Sequence, residues 1–153
     1  MFAVIRVKGE LHLPKDKKRT MELLRLFRAN HLVLVKEKPE MKKMLKSVET
    51  IITFGELDEK TLELLLEKRG RILGDKPVDA DFLKKNKIVS IKEVAKTVLE
   101  GKKTLREFGI KSVFRLHAPR KGFERAGIKK SYSVGGVWGY RAQDINCLIK
   151  KMA

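Results

Sequence analysis

Apolar positions in the first third of the chain follow two alternating periods. Phe2 to Lys8 is a short run with β-branched Val4, Ile5 and Val7, closed by Gly9, and it predicts a strand. After Pro14, the residues from Lys17 to Arg28 place Leu23, Leu24 and Phe27, with Met21 beside them, three and four apart. That spacing predicts an amphipathic helix with a basic outer face, capped at its first turn by Asp16. Asn30 supplies a left-handed stop, and the HLVLV run from His31 to Val35 predicts a strand buried on at least one face. Pro39 opens a second helix, where a missing amide hydrogen costs nothing, with Met41, Met44, Leu45 and Val48 as its apolar stripe. TIITF, Thr50 to Phe54, predicts a third strand. Residues 1–57 therefore read strand, helix, strand, helix, strand, with crossovers long enough to lay a helix on a small sheet.

The texture changes beyond Leu57. Asp58 is placed to cap a helix from Glu59 to Arg69, with Leu62, Leu65 and Leu66 facing inward and Gly70 as its stop. A loop with Gly74 and Pro77 follows, then a short helix from Asp79 through Phe82 and Leu83. Ser90 with Glu93 forms a capping box for a helix that ends at Gly101. From Gly109 to Arg141 periodicity largely disappears, and glycines and basic residues take its place. Asp144 then caps a last helix carrying Ile145, Leu148, Ile149 and Met152. Neither an internal repeat nor a low-complexity tract occurs. The class is α+β: a β-α-β-α-β core over residues 1–57, and a helical, loop-rich extension over 58–153 packed on it as one structural unit.

Charge changes this picture more than any other property. The 153 residues include 36 Lys and Arg against 19 Asp and Glu, a formal charge of +17, while 42% apolar residues suffice for a core. So large an excess repels itself in a free compact domain, and a polyanionic partner relieves it. Nucleic acid fits better than an anionic membrane. The start MFAVIRVKGE is too short and too charged for a secretory core, and no long apolar span exists, so the cytoplasm is the expected compartment. Cys147, the single cysteine, excludes an internal disulfide and a Cys-rich zinc site, and in INCLIKKM it reads as a small core residue. One glutamine, Gln143, and three asparagines, Asn30, Asn86 and Asn146, amid abundant Lys, Glu and Arg match the bias of hyperthermophile proteins.

The segment FRLHAPRKGFERAGIKKSYSVGGVWGYR, Phe114 to Arg141, concentrates the candidate chemistry. Arg115, Arg120, Lys121, Arg125, Lys129, Lys130 and Arg141 stand against Glu124 alone, a net +6. These cations alternate with aromatics. Phe114 and Phe123 read as anchors to the core, while Tyr132, Trp138 and Tyr140 can stack on unpaired bases as the cations pair with phosphates. His117 can bond RNA or serve structure. A segment of this kind is expected to take its order from its partner. A second basic run, Lys15, Lys17, Lys18 and Arg19, continues through Arg25 and Arg28, and its place at a helix start favours phosphate.

Catalysis finds little support. His12, His31 and His117 are far apart, and neither HExxH nor CxxC occurs, so no metal or other cofactor is expected. GRILGDK, from Gly70, misses both the spacing and the final Ser or Thr of a phosphate-binding loop, and SVGGVWG lacks the GxGxxG spacing.

The core stretch KDKKRTMELLRLFRANHLVLVKEKPEMKKMLKSVETIITFGEL resembles the family of the thirtieth protein of the large ribosomal subunit, whose bacterial form is short. FRLHAPRKGFERAGIKKSYSVGGVWGYR resembles the extension of its archaeal and eukaryotic members, and is the more specific of the two motifs. The resemblance implies an antiparallel three-stranded sheet backed by two helices, ferredoxin-like in plan. It implies binding to large-subunit ribosomal RNA near the docking place of 5S RNA, neighbouring ribosomal proteins as partners, no homo-oligomer and no enzymatic activity. Two positions depart from the family pattern: Ala118 stands where proline is usual, and Lys121 where glycine is common. The rival readings are a module for transfer or guide RNA and an RNA-processing enzyme with its acids on the helices.

If phosphates are the partner, affinity for ribosomal RNA falls steeply with salt. About five phosphate contacts predict a log-log slope of roughly −3 to −5 in a binding titration against salt concentration, whereas a slope near zero rejects the charge argument.

Overall fold

The computed structural model describes residues 1–9, 13–72, 74–78, 82 and 90–153. Its sheet is organised around strand β1 (Phe2–Arg6), buried along its whole length. β1 pairs antiparallel with β2 (His31–Val35) on one side and with β3 (Ile52–Glu56) on the other. Two short strands from the C-terminal half extend the edges. β4 (Val113–Arg115) pairs antiparallel with β2, and β5 (Gly139–Tyr140) pairs parallel with β3, giving the order β4-β2-β1-β3-β5. The three antiparallel strands expected from residues 1–57 are thus the middle of a five-stranded mixed sheet. The segment from Gly109 to Arg141, expected to lack regular structure, supplies both edge strands.

Alternation of side chains along each strand divides the core in two. Phe2, Val4, Val33, Val35 and Ile52 face helices α1 (Lys15–Leu23) and α2 (Pro39–Ser47) through Met21, Leu24, Leu26, Leu45 and Val48. Ala3, Ile5 and Leu32 face α3 (Glu59–Arg69), α4 (Ile91–Leu99) and α5 (Ile145–Met152), which contribute Leu62, Leu65, Leu66, Val94, Val98, Ile145, Leu148, Ile149 and Met152. A sheet covered on both faces needs apolar residues at successive positions, and FAVIR and HLVLV provide them. Phe114 of β4, with no exposure, joins the second cluster and seats the extension against the core.

Several local expectations need correction. The first helix stops at Leu23 instead of Arg28. Arg25 takes a left-handed φ of 60°, the Leu26 amide donates to the Met21 carbonyl at 2.9 Å, and the Arg25 amide donates to Glu22 at 2.9 Å. This is a Schellman stop with arginine in the usual glycine position. It turns Leu26 into the core and leaves Leu23 and Phe27, expected to face inward, 67% and 54% exposed. Asp16, Asp58 and Asp144 make no side-chain cap bond. The Asp58 amide donates instead to the Asn146 side-chain oxygen at 3.0 Å, and Asp144 accepts from the Tyr132 hydroxyl. Ser90 does cap, accepting the Glu93 amide at 3.3 Å, and Asn30 has the expected left-handed φ of 64°. Gly70 ends α3 without a positive φ. The third strand begins at Ile52, two residues later than expected. Cys147 is exposed and not a core residue, because the inward position beside it belongs to Asn146. Asn146 donates to the Glu56 and Gln143 carbonyls at 2.9 and 2.8 Å, so its amide is satisfied inside. Of the short helix expected from Asp79 to Leu83, all but Phe82 lies outside the described residues, as does His12.

Phe114→Ala removes an aromatic ring from the second cluster and should cost about 3–5 kcal/mol in chemical denaturation. A loss under 1 kcal/mol would mean that the extension does not share the core.

Candidate nucleic-acid interface

The geometry of the extension is set by Arg141, expected among the cations that face outward. It is 3% exposed. Its Nε donates to Thr53 Oγ1 at 2.9 Å, and the Thr53 hydroxyl donates to the Gly139 carbonyl at 3.0 Å. Its two terminal nitrogens hold both oxygens of Glu124, at 2.5 and 3.0 Å, and one also reaches the Val137 carbonyl at 2.9 Å. The Tyr132 ring lies against the guanidinium, 4.3 Å from centroid to Cζ. Planar, bidentate and permanently charged, arginine suits this buried position. Arg141 is therefore corrected from an RNA-facing residue to the tie between β5, β3 and the loop carrying Glu124. Burial by itself raises the Glu124 carboxyl, but its bonds to Arg141 and to a backbone amide, with the nearby charges of Arg141 and Lys151, hold it below the ordinary range. Close approach is built in at Gly55 of β3, where a Cβ would collide with the Ala142 carbonyl.

The three candidate stacking aromatics are each engaged. Tyr132 is half-buried, and its hydroxyl donates to Asp144 at 2.6 Å, which raises its pKa. Trp138 is half-buried and donates through Nε1 to the Lys129 carbonyl at 3.2 Å. Tyr140, on β5, is 47% exposed, lies 5.5 Å from the Phe54 ring and donates to Glu56 at 2.5 Å.

At this edge a lysine outside both basic runs meets the extension. The Lys8 ammonium lies 5.6 Å from the Trp138 ring, and burial and the charge of Lys17 lower its pKa. Lys8, which sequence reasoning missed, thus packs against the extension. Lys15, Lys18 and Arg19 are exposed on α1 and Lys17 half-exposed, while Lys129, whose carbonyl accepts from Trp138, and its neighbour Lys130 are exposed.

Arg115 lies at the opposite edge, on β4. With Arg25, half-buried, and the missed residues Arg106 and Lys111 it lines an open groove of about 670 Å³, together with Phe27 and His31. Asp75 accepts Lys111 at 2.6 Å and Arg115 at 3.0 Å, and those bonds and charges lower its pKa, the Lys111 hydrogen bond most. The His31 pKa is lowered by burial and then by Arg115, Arg28 and Arg6, so the ring is neutral near pH 7, and its Nδ1 is buried with no hydrogen-bond partner among the described residues. Arg28 is exposed. The run of Lys102, Lys103, Arg106 and Lys111 ahead of β4 was the available signal for the two missed cations.

Between the edges the chain runs past the end of α5, where the His117 and Arg120 amides donate to the Met152 and Lys151 carbonyls. The side chains of His117, Arg120, Lys121 and Arg125 are all exposed. Lys121 adopts a φ of 66°, a left-handed conformation that explains why glycine suits this position. The expectation of one basic loop is therefore replaced by a path that crosses from one sheet edge to the other.

The family model "Ribosomal protein L30p/L7e" matches residues 2–52. "Large ribosomal subunit protein uL30" of Methanococcus vannielii is 44% identical over 151 residues, 99% of this chain and 98% of that protein. The proteins of the same name from Nanoarchaeum equitans and Methanoregula boonei are 43% and 41% identical, over 97% and 99% of this chain and 96% and 99% of theirs. The chain belongs to the L30p/L7e family of ribosomal proteins. Members of this family are structural components of the cytoplasmic ribosome and not enzymes. The family model ends at residue 52, whereas the match to the Methanococcus vannielii protein, over 151 residues, spans the extension as well. Among the described residues no three His, Cys, Asp or Glu side chains gather as metal ligands, and no helix is long and apolar enough to cross a membrane.

Because the folded Glu124 pKa lies below its unfolded value of about 4.3, the stability it contributes is complete above that pH and is lost as pH falls through the folded value. Glu124→Gln should destabilise by about 1–3 kcal/mol at pH 7 and flatten the acid limb of the stability profile. Wild-type and variant denaturation curves with the same separation at pH 7 and pH 3 would contradict this linkage.

Proposed function

We propose that this family member binds large-subunit ribosomal RNA and stabilises its folded form. The observation that carries the reading is the set of exposed cations at both sheet edges and along the path between them. Arg115 stands at the β4 edge, Lys129 and Lys130 beside β5, and Arg120, Lys121 and Arg125 between. Arg120, Lys121, Arg125, Lys129 and Lys130 make no ion pair among the described residues, while Arg141 ties down the loop around Glu124 and Val137 and the Arg120 amide is held by the Lys151 carbonyl. Fixed cations of one sign are suited to phosphates, whose counterions they displace. The second basic surface is α1 with Lys15, Lys17, Lys18 and Arg19, where helix-start amides, given no side-chain cap by the N-cap residue Pro14, add to the attraction for phosphate. Tyr140 is the most exposed of the candidate stacking rings. Tyr132 and Trp138 offer one face at most, since each packs against its own loop. A place close to 5S RNA, contact with neighbouring ribosomal proteins and action as a single copy complete the reading, and family membership supports them.

Co-sedimentation with 50S particles at several salt concentrations tests the reading against a role on transfer or guide RNA. Retention with the particle supports it, and tight binding to a small RNA without ribosomal RNA would replace it. Changing Arg115, Arg120, Arg125 and Lys129 together to alanine should make the salt slope shallower by about 3 to 4. The melting temperature should stay nearly unchanged, because exposed pairs such as Arg115 with Asp75 contribute little. Early melting with normal RNA binding would instead make these residues structural.

A further inference from the structure

The groove at the β4 edge has a composition that phosphate pairing alone does not explain. Among the described residues its wall includes four cations, Arg25, Arg106, Lys111 and Arg115, and no carboxylate, yet it also includes the rings of Phe27 and His31. A solvent-exposed phenylalanine by itself is ordinary. This one is presented on a rigid support. The Arg6 guanidinium, 3% exposed, donates to the Leu26 and Phe27 carbonyls at 2.7 and 2.9 Å, and the Schellman stop at Arg25 turns Leu26 into the core and leaves Phe27 outside it. Arg25 is itself tethered to the Ser112 hydroxyl at 3.3 Å, and Asp75 clamps Lys111 and Arg115 together. The volume, about 670 Å³, falls within the range of small-ligand sites, about 300–1,000 Å³.

We infer that this groove seats one unstacked nucleotide, its base against the Phe27 ring and its phosphate among Arg25, Arg106, Lys111 and Arg115. The inference rests on the RNA-binding reading and sharpens it: a paired duplex presents phosphates but keeps its base faces stacked, so the ring has work only where a base is splayed out. His31 lines the site as an uncharged ring. The preset turn and the Asp75 clamp lower the ordering cost of binding.

The test is an NMR titration of the full chain with adenosine 5′-monophosphate and, separately, with ribose 5-phosphate, which has the same phosphate and no base. Both probes should shift the Lys111, Ser112 and Arg115 amides, with the nucleotide binding about tenfold more tightly. Phe27→Ala, a change at an exposed position, should erase the difference between the probes and leave ribose 5-phosphate affinity as it was. Equal affinities in the wild type, an advantage that survives Phe27→Ala, or an unperturbed groove overturns the inference. Ribosomal RNA binding measured on the same samples separates the two levels. If it persists with its salt dependence while the probes are indistinguishable, only the groove assignment falls; if it is absent, the wider reading falls as well.

Discussion

A buried guanidinium is the constraint on which the extension depends. Between Leu116 and Val137 none of Phe123, Ile128, Tyr132 and Val134 is fully buried, so packing alone gives that stretch little reason to adopt one path. Arg141 supplies the reason. Its charge leaves water only because Glu124, Thr53 and the Val137 carbonyl surround it and Tyr132 covers its face. Removing any of these leaves polar groups buried and unpaired, a penalty larger than the net value of the bonds themselves. The same contacts fix β5 beside β3, and with β5 in place the ring of Tyr140 and the loop carrying Lys129 and Lys130 have defined positions.

The two-faced core then decides where recognition can occur. Helices α1 and α2 occupy one face of the sheet and α3, α4 and α5 the other, which leaves the edges and the strand ends for contact with a partner. Sheet edges are ordinarily a liability because their backbone groups can recruit other chains. Here they are closed by short strands, and cations lie on or beside them: Arg115 on β4 itself, Lys129 and Lys130 in the loop that precedes β5. Placing like charges there costs self-repulsion in the free protein, which phosphate removes. Fold and charge distribution thus meet in the same residues.

What the sequence revealed follows from the range of the signals. β1, β2 and α2 were legible because each is long enough to show its period, and Pro39 and Ser90 are local signals that need no distant partner. β4 and β5, three and two residues long, have no period to show and exist only through pairing with β2 and β3. The spacing of Leu23 and Phe27 was a true helical pattern, but the stop at Arg25 cut it short, and arginine gives no warning of a left-handed turn. Arg141 looked like its neighbours because sequence records a charge and not its burial. Asn146 and Cys147 misled for the related reason that a polar residue goes inside when its hydrogen bonds are met there. The candidate site was legible as a list of cations, and its division between two edges was not.

Acetylation footprinting of lysines, read by mass spectrometry with and without large-subunit ribosomal RNA, tests the placement most directly. RNA should protect Lys17, Lys111, Lys129 and Lys130, which lie at or beside the two edges, and leave Lys60 and Lys68 of α3 and Lys43 of α2 as reactive as in the free protein. Equal protection of Lys43, Lys60 and Lys68, or unchanged reactivity at the edges, would contradict the account.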